Sequence, residues 1–382
     1  MYLSHLWTII RHDTITDKGE NIMSQKITFY PLGNAESCLL ELANKKTMLF
    51  DYANTYTGDE GDLRIDLAEE LQKYEEFDVV LLTHAHEDHV QGAKEFFHLD
   101  YAKSYQGDNR VKINELWISS AFILDTELSS EDARVIRQEA RHRLKNKYGI
   151  KVFSEPNKLD GWLKQQGMST EEVAPFIVHA GQLIINHDLG DEIQFFVHAP
   201  FSCDSEDVDD KNDPSIVMQV RLFNDSLETN ILITGDTPHE VLEKIVDMSK
   251  LHDNQEYLKW DIYDIPHHCS YTGLAEEKGT YMTTPTAQVK WLLSQGESSG
   301  KMIASCKVIS EHADDSQPPH IEAMRAYKTY GGSDKDFWAT MEYPAKDKPK
   351  PLVYEIDRLG IREIRTSSGT THLKSAAPRA GM

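Results

Sequence analysis

The sequence predicts an α/β protein with two β-sheets sandwiched between helices, an αββα arrangement. Three observations carry this. Short apolar strands alternate with helical patterns along most of the chain. The strands gather towards both ends, with helices between them. Histidines and aspartates fall at the ends of successive strands, where an open α/β sheet places its ligands.

The globular pattern starts at Met23-Ser24-Gln25-Lys26, which reads as a natural start, so residues 1–22 are expected to be an N-terminal extension. Apolar strands are expected at Ile27–Leu32, Cys38–Leu42, Thr47–Asp51 and Val79–Thr83. Others follow at Glu192–His198, Ser215–Leu222, Asn230–Thr234, Asp261–Ile265, Met302–Ile309 and Pro351–Ile356. Helical periodicity marks Leu63–Tyr74, His89–Phe97, Pro238–Met248 and Pro319–Tyr330. The main domain spans about 23–365. Residues 366–382, rich in Ser, Thr, Gly and Ala, are expected to be a disordered tail.

One stretch breaks the alternation. From about 101 to 182 the pattern is mostly helical and reads as an insert. Ser129 or Ser130 is placed to cap a helix with Glu131 and Asp132 in its first turn and Lys145 and Lys147 in its last. Arg134, Arg137, Arg141 and Lys145 recur at helical spacing and share one face. That face is either a solvated surface or a lid or partner surface that attracts an anionic substrate.

Composition narrows the classes. The 382 residues carry 40 basic against 63 acidic side chains, a net charge of −23. This argues against a broad, non-specific nucleic-acid-binding surface. No apolar run approaches the ~18 residues of a membrane span, so no membrane association is expected. Cys38, Cys203, Cys269 and Cys306 are widely spaced and form no CxxC pair. With no signal-peptide pattern at the start, a cytoplasmic location is expected.

The densest chemical signal is Thr83-His84-Ala85-His86-Glu87-Asp88-His89, directly after the apolar run Val79-Val80-Leu81-Leu82. The chain holds only 17 histidines, so three within six residues is a concentration. Imidazole suits Zn, Mn and Fe, and carboxylate adds an anionic oxygen. Asp236 ends the strand Ile231-Leu232-Ile233, as a helix cap or as a bridging carboxylate. His267 and His268 follow the strand ending at Ile265, and His198 ends Phe195-Phe196-Val197. His320, in Pro318-Pro319-His320, is either a helix-start residue or reaches the same site.

This constellation resembles the metallo-β-lactamase superfamily. His84, His86, Asp88 and His89 match its HxHxDH signature, and Asp51 matches its upstream structural aspartate. Asn212-Asp213-Pro214-Ser215-Ile216-Val217, Leu232-Ile233-Thr234-Gly235-Asp236 and His267-His268-Cys269-Ser270 follow one another as NxxSxV, LTGD and HHGS do in the ComEC-type domain of DNA-uptake proteins. The likeness covers about residues 26 to 330. Cys269 stands where that group has glycine. The resemblance implies two divalent metal ions, Zn or Mn. His84, His86 and His198 would hold the first. Asp88, His89 and His268 would hold the second, and Asp236 would bridge both.

With such a pair of ions, a metal-bridging hydroxide would attack the substrate. Asp88 would orient it, and His267 or His320 would protonate the leaving group. Asn212 and Ser215, with the basic face of Arg134, Arg137, Arg141 and Lys145, are the expected substrate contacts. A phosphodiesterase or nuclease acting on a nucleotide or single-stranded nucleic acid is the reading favoured. Hydrolysis of a lactam, thioester or lactone is the alternative within enzymes. A metal-stabilised interaction subunit of a bacterial defence or DNA-handling system, docking a protein partner through the helical insert, is the alternative outside them.

Overall fold

A computed structural model describes residues 24–365, apart from 155–156, 202–214, 226, 312–315 and 333–334. Its strands in chain order begin with β1 (Gln25–Phe29), β2 (Cys38–Glu41), β3 (Thr47–Phe50), β4 (Glu76–Leu82), β5 (Lys112–Ser119), β6 (Ile150–Phe153) and β7 (Ile177–Val178). Next come β8 (Leu183–Ile184), β9 (Ile193–Ala199), β10 (Val217–Asn224), β11 (Leu227–Ile233), β12 (Trp260–Asp264), β13 (Gly296–Ala304) and β14 (Asp336–Ala339). The last two are β15 (Leu352–Asp357) and β16 (Gly360–Glu363).

These strands form two sheets. The first has the order β16-β15-β1-β2-β3-β4-β5-β6-β7, and the second β14-β13-β12-β11-β10-β9-β8. Each sheet is half antiparallel and half parallel. In the first, β3 through β7 run parallel. In the second, β11 through β14 do. Parallel strands must be covered on both faces, and their near-continuous apolar runs supply the contacts. Ile27, Phe29, Leu81, Val197, Ile231 and Ile262, from both sheets, pack into one central core.

Helices close the two outer faces. Over the first sheet lie α1 (Leu67–Leu71), α2 (Glu87–Val90), α3 (Ala93–Phe96), α4 (Ser120–Leu124), α5 (Glu131–Asn146), α6 (Asn157–Gln165) and α7 (Thr170–Val173). Over the second lie α8 (His239–Leu251), α9 (Ala287–Leu293) and α10 (Ile321–Tyr330). The four layers are therefore αββα, as expected.

Each expected strand has a counterpart, but boundaries move. The strand expected over Met302–Ile309 runs over Gly296–Ala304, where Lys301 to Ala304 pair with Asp336 to Ala339. The helix expected from Leu63 begins only at Leu67, because the Asp66 carboxylate accepts the Ala68 and Glu69 N–H groups and caps it there. Ser130 stands at the N-cap of α5 without a side-chain cap bond.

The stretch 101–182 differs most. It carries the helices α4 to α7 but also β5, β6 and β7, which extend the first sheet by parallel pairing. It is integral to the sandwich rather than a helical addition to it. Lys112, Asn114 and Glu115 interrupt the apolar positions of β5 and hide it from a periodicity reading. Residues 1–22 and 366–382 lie outside the described residues. Among the described residues no helix is long and apolar enough to cross a membrane.

Candidate metal centre

Four strand ends meet at one edge of the sandwich. β4 leads into the loop of His84, His86, Asp88 and His89; β11 leads to Asp236; β12 leads to His267 and His268; and β3 leads to Asp51. All four are carboxyl ends of parallel-paired strands, so side chains from both sheets converge there.

Asp236 sits at the centre, with its two oxygens facing different groups. Its Oδ2 lies 3.6 Å from His84 Nε2 and 3.8 Å from His267 Nε2. Its Oδ1 lies 3.2 Å from His89 Nε2 and 3.6 Å from His268 Nε2. His84 Nε2 is 3.1 Å from His86 Nδ1, and His268 Nε2 is 3.2 Å from Asp88 Oδ2. One donor atom each from Asp88, His89, Asp236 and His268 lie within 4.8 Å of one another, and the same holds for His84, His86 and Asp88. Donors about a tetrahedral ion at ~2.0–2.1 Å stand roughly 3.3 Å apart. The spacing and the all-nitrogen-and-oxygen donor set therefore suit divalent metal ions.

Buried partners aim these ligands. Asp51, at a left-handed φ of 53°, accepts the Thr83 N–H at 2.7 Å and the Thr83 hydroxyl at 2.6 Å. Its Oδ2 lies 2.8 Å from His89 Nδ1, leaving Nε2 of that ring turned to Asp236. His268 Nδ1 lies 2.7 Å from the Ser305 carbonyl, which likewise turns its Nε2 into the site. A carboxylate or carbonyl behind a ligating imidazole fixes its tautomer and orientation. Gly235 has a φ of +52°, and a Cβ there would stand 2.9 Å from the Thr83 Cβ. His267, His268 and Cys269 all adopt left-handed φ of 51°, 52° and 64°. Such a run of non-glycine residues is uncommon and strained. The backbone of Cys269 adopts a conformation that glycine favours.

Charge within the cluster is strongly organised. Burial disfavours a charged His268, yet Asp236 and Asp88 outweigh it and raise its pKa to about 9. His89 is likewise raised against its burial by Asp51 and Asp236. Burial also opposes ionisation of Asp236, but the neighbouring His268 and His89 hold its carboxyl well below the usual range. His84 goes the other way: burial, with the charge on His89, pushes it well below the ordinary histidine value.

The structure brings His84, His86, Asp88, His89, Asp236 and His268 together, with His267 at their edge and about one quarter exposed. It does not bring His198 to them. That ring is buried, its Nε2 lies 2.9 Å from the Tyr257 carbonyl, and burial lowers its pKa to about 4. Phe195 and Val197 of β9 point into the central core, so Phe196 and His198 lie on the opposite face, where Phe196 stacks on Tyr257. The expected third histidine of the first metal is thus turned away, towards Phe196 and the Tyr257 carbonyl. His320 heads α10, packs its ring edge-on to Tyr271, and donates its backbone N–H to the Cys269 carbonyl. Ser215 is fully buried before β10, where Ile216 N–H donates to the Thr83 carbonyl. Asn212 lies outside the described residues.

The basic face of α5 also differs from expectation. Arg134 donates to the Leu128 and Ser129 carbonyls, Arg137 to the Asp125 carbonyl and Arg141 twice to the Ile123 carbonyl. Lys145 lies over the Trp162 ring. Three of the four cations are committed to backbone rather than presented as a free anion-binding surface.

Two buried carboxyl groups escaped the sequence reading. Glu36 and Asp264 lie behind the cluster, where Glu36, Asp51 and His89 also approach one another. Burial raises both carboxyls, Asp264 to about 6 and Glu36 well above its usual range, the latter helped by Asp264. The signal at Asp264 was a carboxylate within the apolar Ile262-Tyr263-Asp264-Ile265 run; Glu36 carried none.

No protein-family model matches the chain, and no curated protein matches it either. Among solved structures, the long form of RNase Z from yeast is 12% identical over 80% of this chain and 41% of its own, with a TM-score of 0.30. This chain thus spans well under half of that enzyme's length. The metallo-β-lactamase GOB-18 from Elizabethkingia meningoseptica is 13% identical over 68% of this chain and 82% of its own, with a TM-score of 0.26. The class B3 di-zinc metallo-β-lactamase LRA-12 from an Alaskan soil metagenome is 12% identical over 66% and 82%, with a TM-score of 0.24. Likenesses this distant assign no activity to the chain; its chemistry follows from the side chains themselves.

Proposed function

We propose that this chain is a dinuclear metal-dependent hydrolase, most suited to a phosphodiester. One observation carries the reading: Asp236 directs one oxygen towards His84 and the other towards His89 and His268. His84 and His86 would then hold one ion, Asp88, His89 and His268 the other, with Asp236 able to serve both. Two divalent ions so held would supply an acidified water and would neutralise charge growing on a phosphoryl oxygen. Zn and Mn both suit the donors.

The chain's own residues supply the rest. Asp51 and the Ser305 carbonyl hold the His89 and His268 rings in register. Asp88, about one third exposed, stands where it accepts a hydrogen bond from a substrate or water. His267 faces both the cluster and solvent, and its Nδ1 is 3.1 Å from the Thr272 hydroxyl. That places it better than His320 to deliver a proton to a leaving group. The ComEC-type order of motifs supports a phosphodiester over a carbonyl substrate, and the −23 net charge supports a small phosphodiester over a long polyanion.

The test is hydrolysis of bis(p-nitrophenyl) phosphate with Mn²⁺ or Zn²⁺, comparing the native chain with His86→Ala. Metal-dependent turnover that disappears in the variant is expected. A protein that holds two metal ions yet turns over no phosphodiester would refute the phosphodiester assignment.

A further inference from the structure

A cavity of about 300 Å³ opens directly beside His84 and His86, at the low end of the size range of small-molecule sites. Its far wall is the end of α4 and the connection to α5, where Phe122, Leu124 and Leu128 form an apolar face. Among the described residues Lys158 is the only lysine or arginine lining it, and Asp125 and Glu127 line it too. Among the described residues the cavity thus sets one lysine against two carboxylates and carries no excess of positive charge apart from its histidines. An anionic group has no reason to prefer it to the metal cluster.

The wall is held from behind. Arg134, Arg137 and Arg141 lie on one face of α5, and their guanidinium groups reach four carbonyls between Ile123 and Ser129. The carbonyls at the end of a helix and along a loop lack backbone partners of their own. A planar guanidinium that bonds one or two of them sets the path of that backbone. Arg137 is nine-tenths buried and serves Asp125, a residue of the cavity wall.

We propose that this cavity receives a neutral, partly apolar arm of the substrate, and that the arginine row on α5 consists of positioning residues that shape its wall. The proposal rests on the phosphodiester reading above. The substrate it selects is a small phosphodiester with one compact, uncharged alcohol of nucleoside size. Its phosphate lies at the histidines and aspartates, and its nucleoside lies against Phe122, Leu124 and Leu128. A polyanionic strand threaded through the cavity would meet Asp125 and Glu127.

The experiment uses the full chain loaded with Mn²⁺ or Zn²⁺. The variants are Ala121→Phe, which fills the cavity, Arg137→Met, which releases the wall, and Arg137→Lys. Metal content and melting temperature are recorded for each. Two esters are compared, p-nitrophenyl thymidine 5′-phosphate and methyl p-nitrophenyl phosphate, and binding of thymidine 5′-phosphate is followed by calorimetry. In the native chain KM for the thymidine ester should lie at least tenfold below that for the methyl ester. Ala121→Phe and Arg137→Met should erase that ratio, chiefly through KM, and Arg137→Lys should restore part of it. A native ratio near one, or a ratio that survives Ala121→Phe, overturns the proposal. If the two-metal protein hydrolyses neither ester, the phosphodiester reading fails and calorimetry decides the cavity. Tenfold weaker thymidine 5′-phosphate binding in Ala121→Phe upholds it, while equal or undetectable binding overturns it. Should Arg137→Met fail to fold, Ala121→Phe carries the test alone.

Discussion

Stripped of metal, the protein should lose stability as the pH rises past neutrality; loaded with metal, it should not. The perturbation is deprotonation of His268. Its ring is buried between Asp236 and Asp88, with its Nε2 3.6 Å and 3.2 Å from their oxygens. Burial opposes the charge, but the two carboxylates prevail and hold the pKa at about 9, against ~6.5 in an unfolded chain. The folded state thus binds the proton more tightly. The resulting stability is fully present below about pH 6.5 and is lost as the pH climbs through about 9. At ~1.4 kcal/mol per pKa unit the loss is roughly 3 kcal/mol. His89 is shifted in the same direction and adds to it. Denaturant unfolding of the chelator-treated protein at about pH 6 and pH 10 measures the effect, with His268→Gln as control. Bound metal requires neutral imidazoles, so the loaded protein should instead gain stability over the same range. A flat profile in the metal-free protein, or a slope undiminished in His268→Gln, refutes the reasoning.

Other perturbations separate ligands from their supports. Asp51→Asn keeps the shape but weakens the hold on His89 and Thr83, so metal affinity should fall about 10- to 100-fold in a chelator competition. Gly235→Ala forces a Cβ to 2.9 Å from Thr83 at a left-handed φ; a loss of about 1–2 kcal/mol in denaturant unfolding is expected, with metal content reduced alongside. His198→Ala should leave two metal ions per chain by elemental analysis, because that ring bonds the Tyr257 carbonyl. Arg143→Met should cost about 3–5 kcal/mol in denaturant unfolding. The buried guanidinium is 2.6 Å from the buried Glu139 carboxylate, which the change leaves unpaired, and it also serves the Gly149 and Ile113 carbonyls.

Much of the centre was legible because its ligands follow apolar strands and crowd together in sequence. His84 to His89 announce themselves in this way, and Asp236 and His268 each end a run of buried residues. His198 shares that placement, but its ring points to Phe196 and the Tyr257 carbonyl on the outer face. The alternation set by Phe195 and Val197 does not run on to the strand's end, because the ladder shifts register beside His198 and Ala199 also packs outward. The arginine face of α5 was visible as spacing, but spacing names a face and not the neighbour that meets it. Here the neighbour is the backbone around Ile123 to Ser129, a contact that belongs to tertiary packing. β5 was missed because its charged residues are tolerated where the strand enters the sheet, with Lys112 exposed and Glu115 half-buried. Glu36 had no local signature at all, since its burial depends on the approach of β12 from the other sheet.

The pairing of β1 with β15, in which Gln25 lies opposite Ile356, has a consequence for biosynthesis. Among the described strands β1 is made first, and it gains its second neighbour only once β15 has been made. Until then its outer edge carries unpaired backbone groups and is open to other nascent chains. Contacts of such sequence separation slow folding. The side chains of the cluster, and the Ser305 carbonyl that orients His268, all precede β15 in the chain, so the cluster can assemble while that edge is still open.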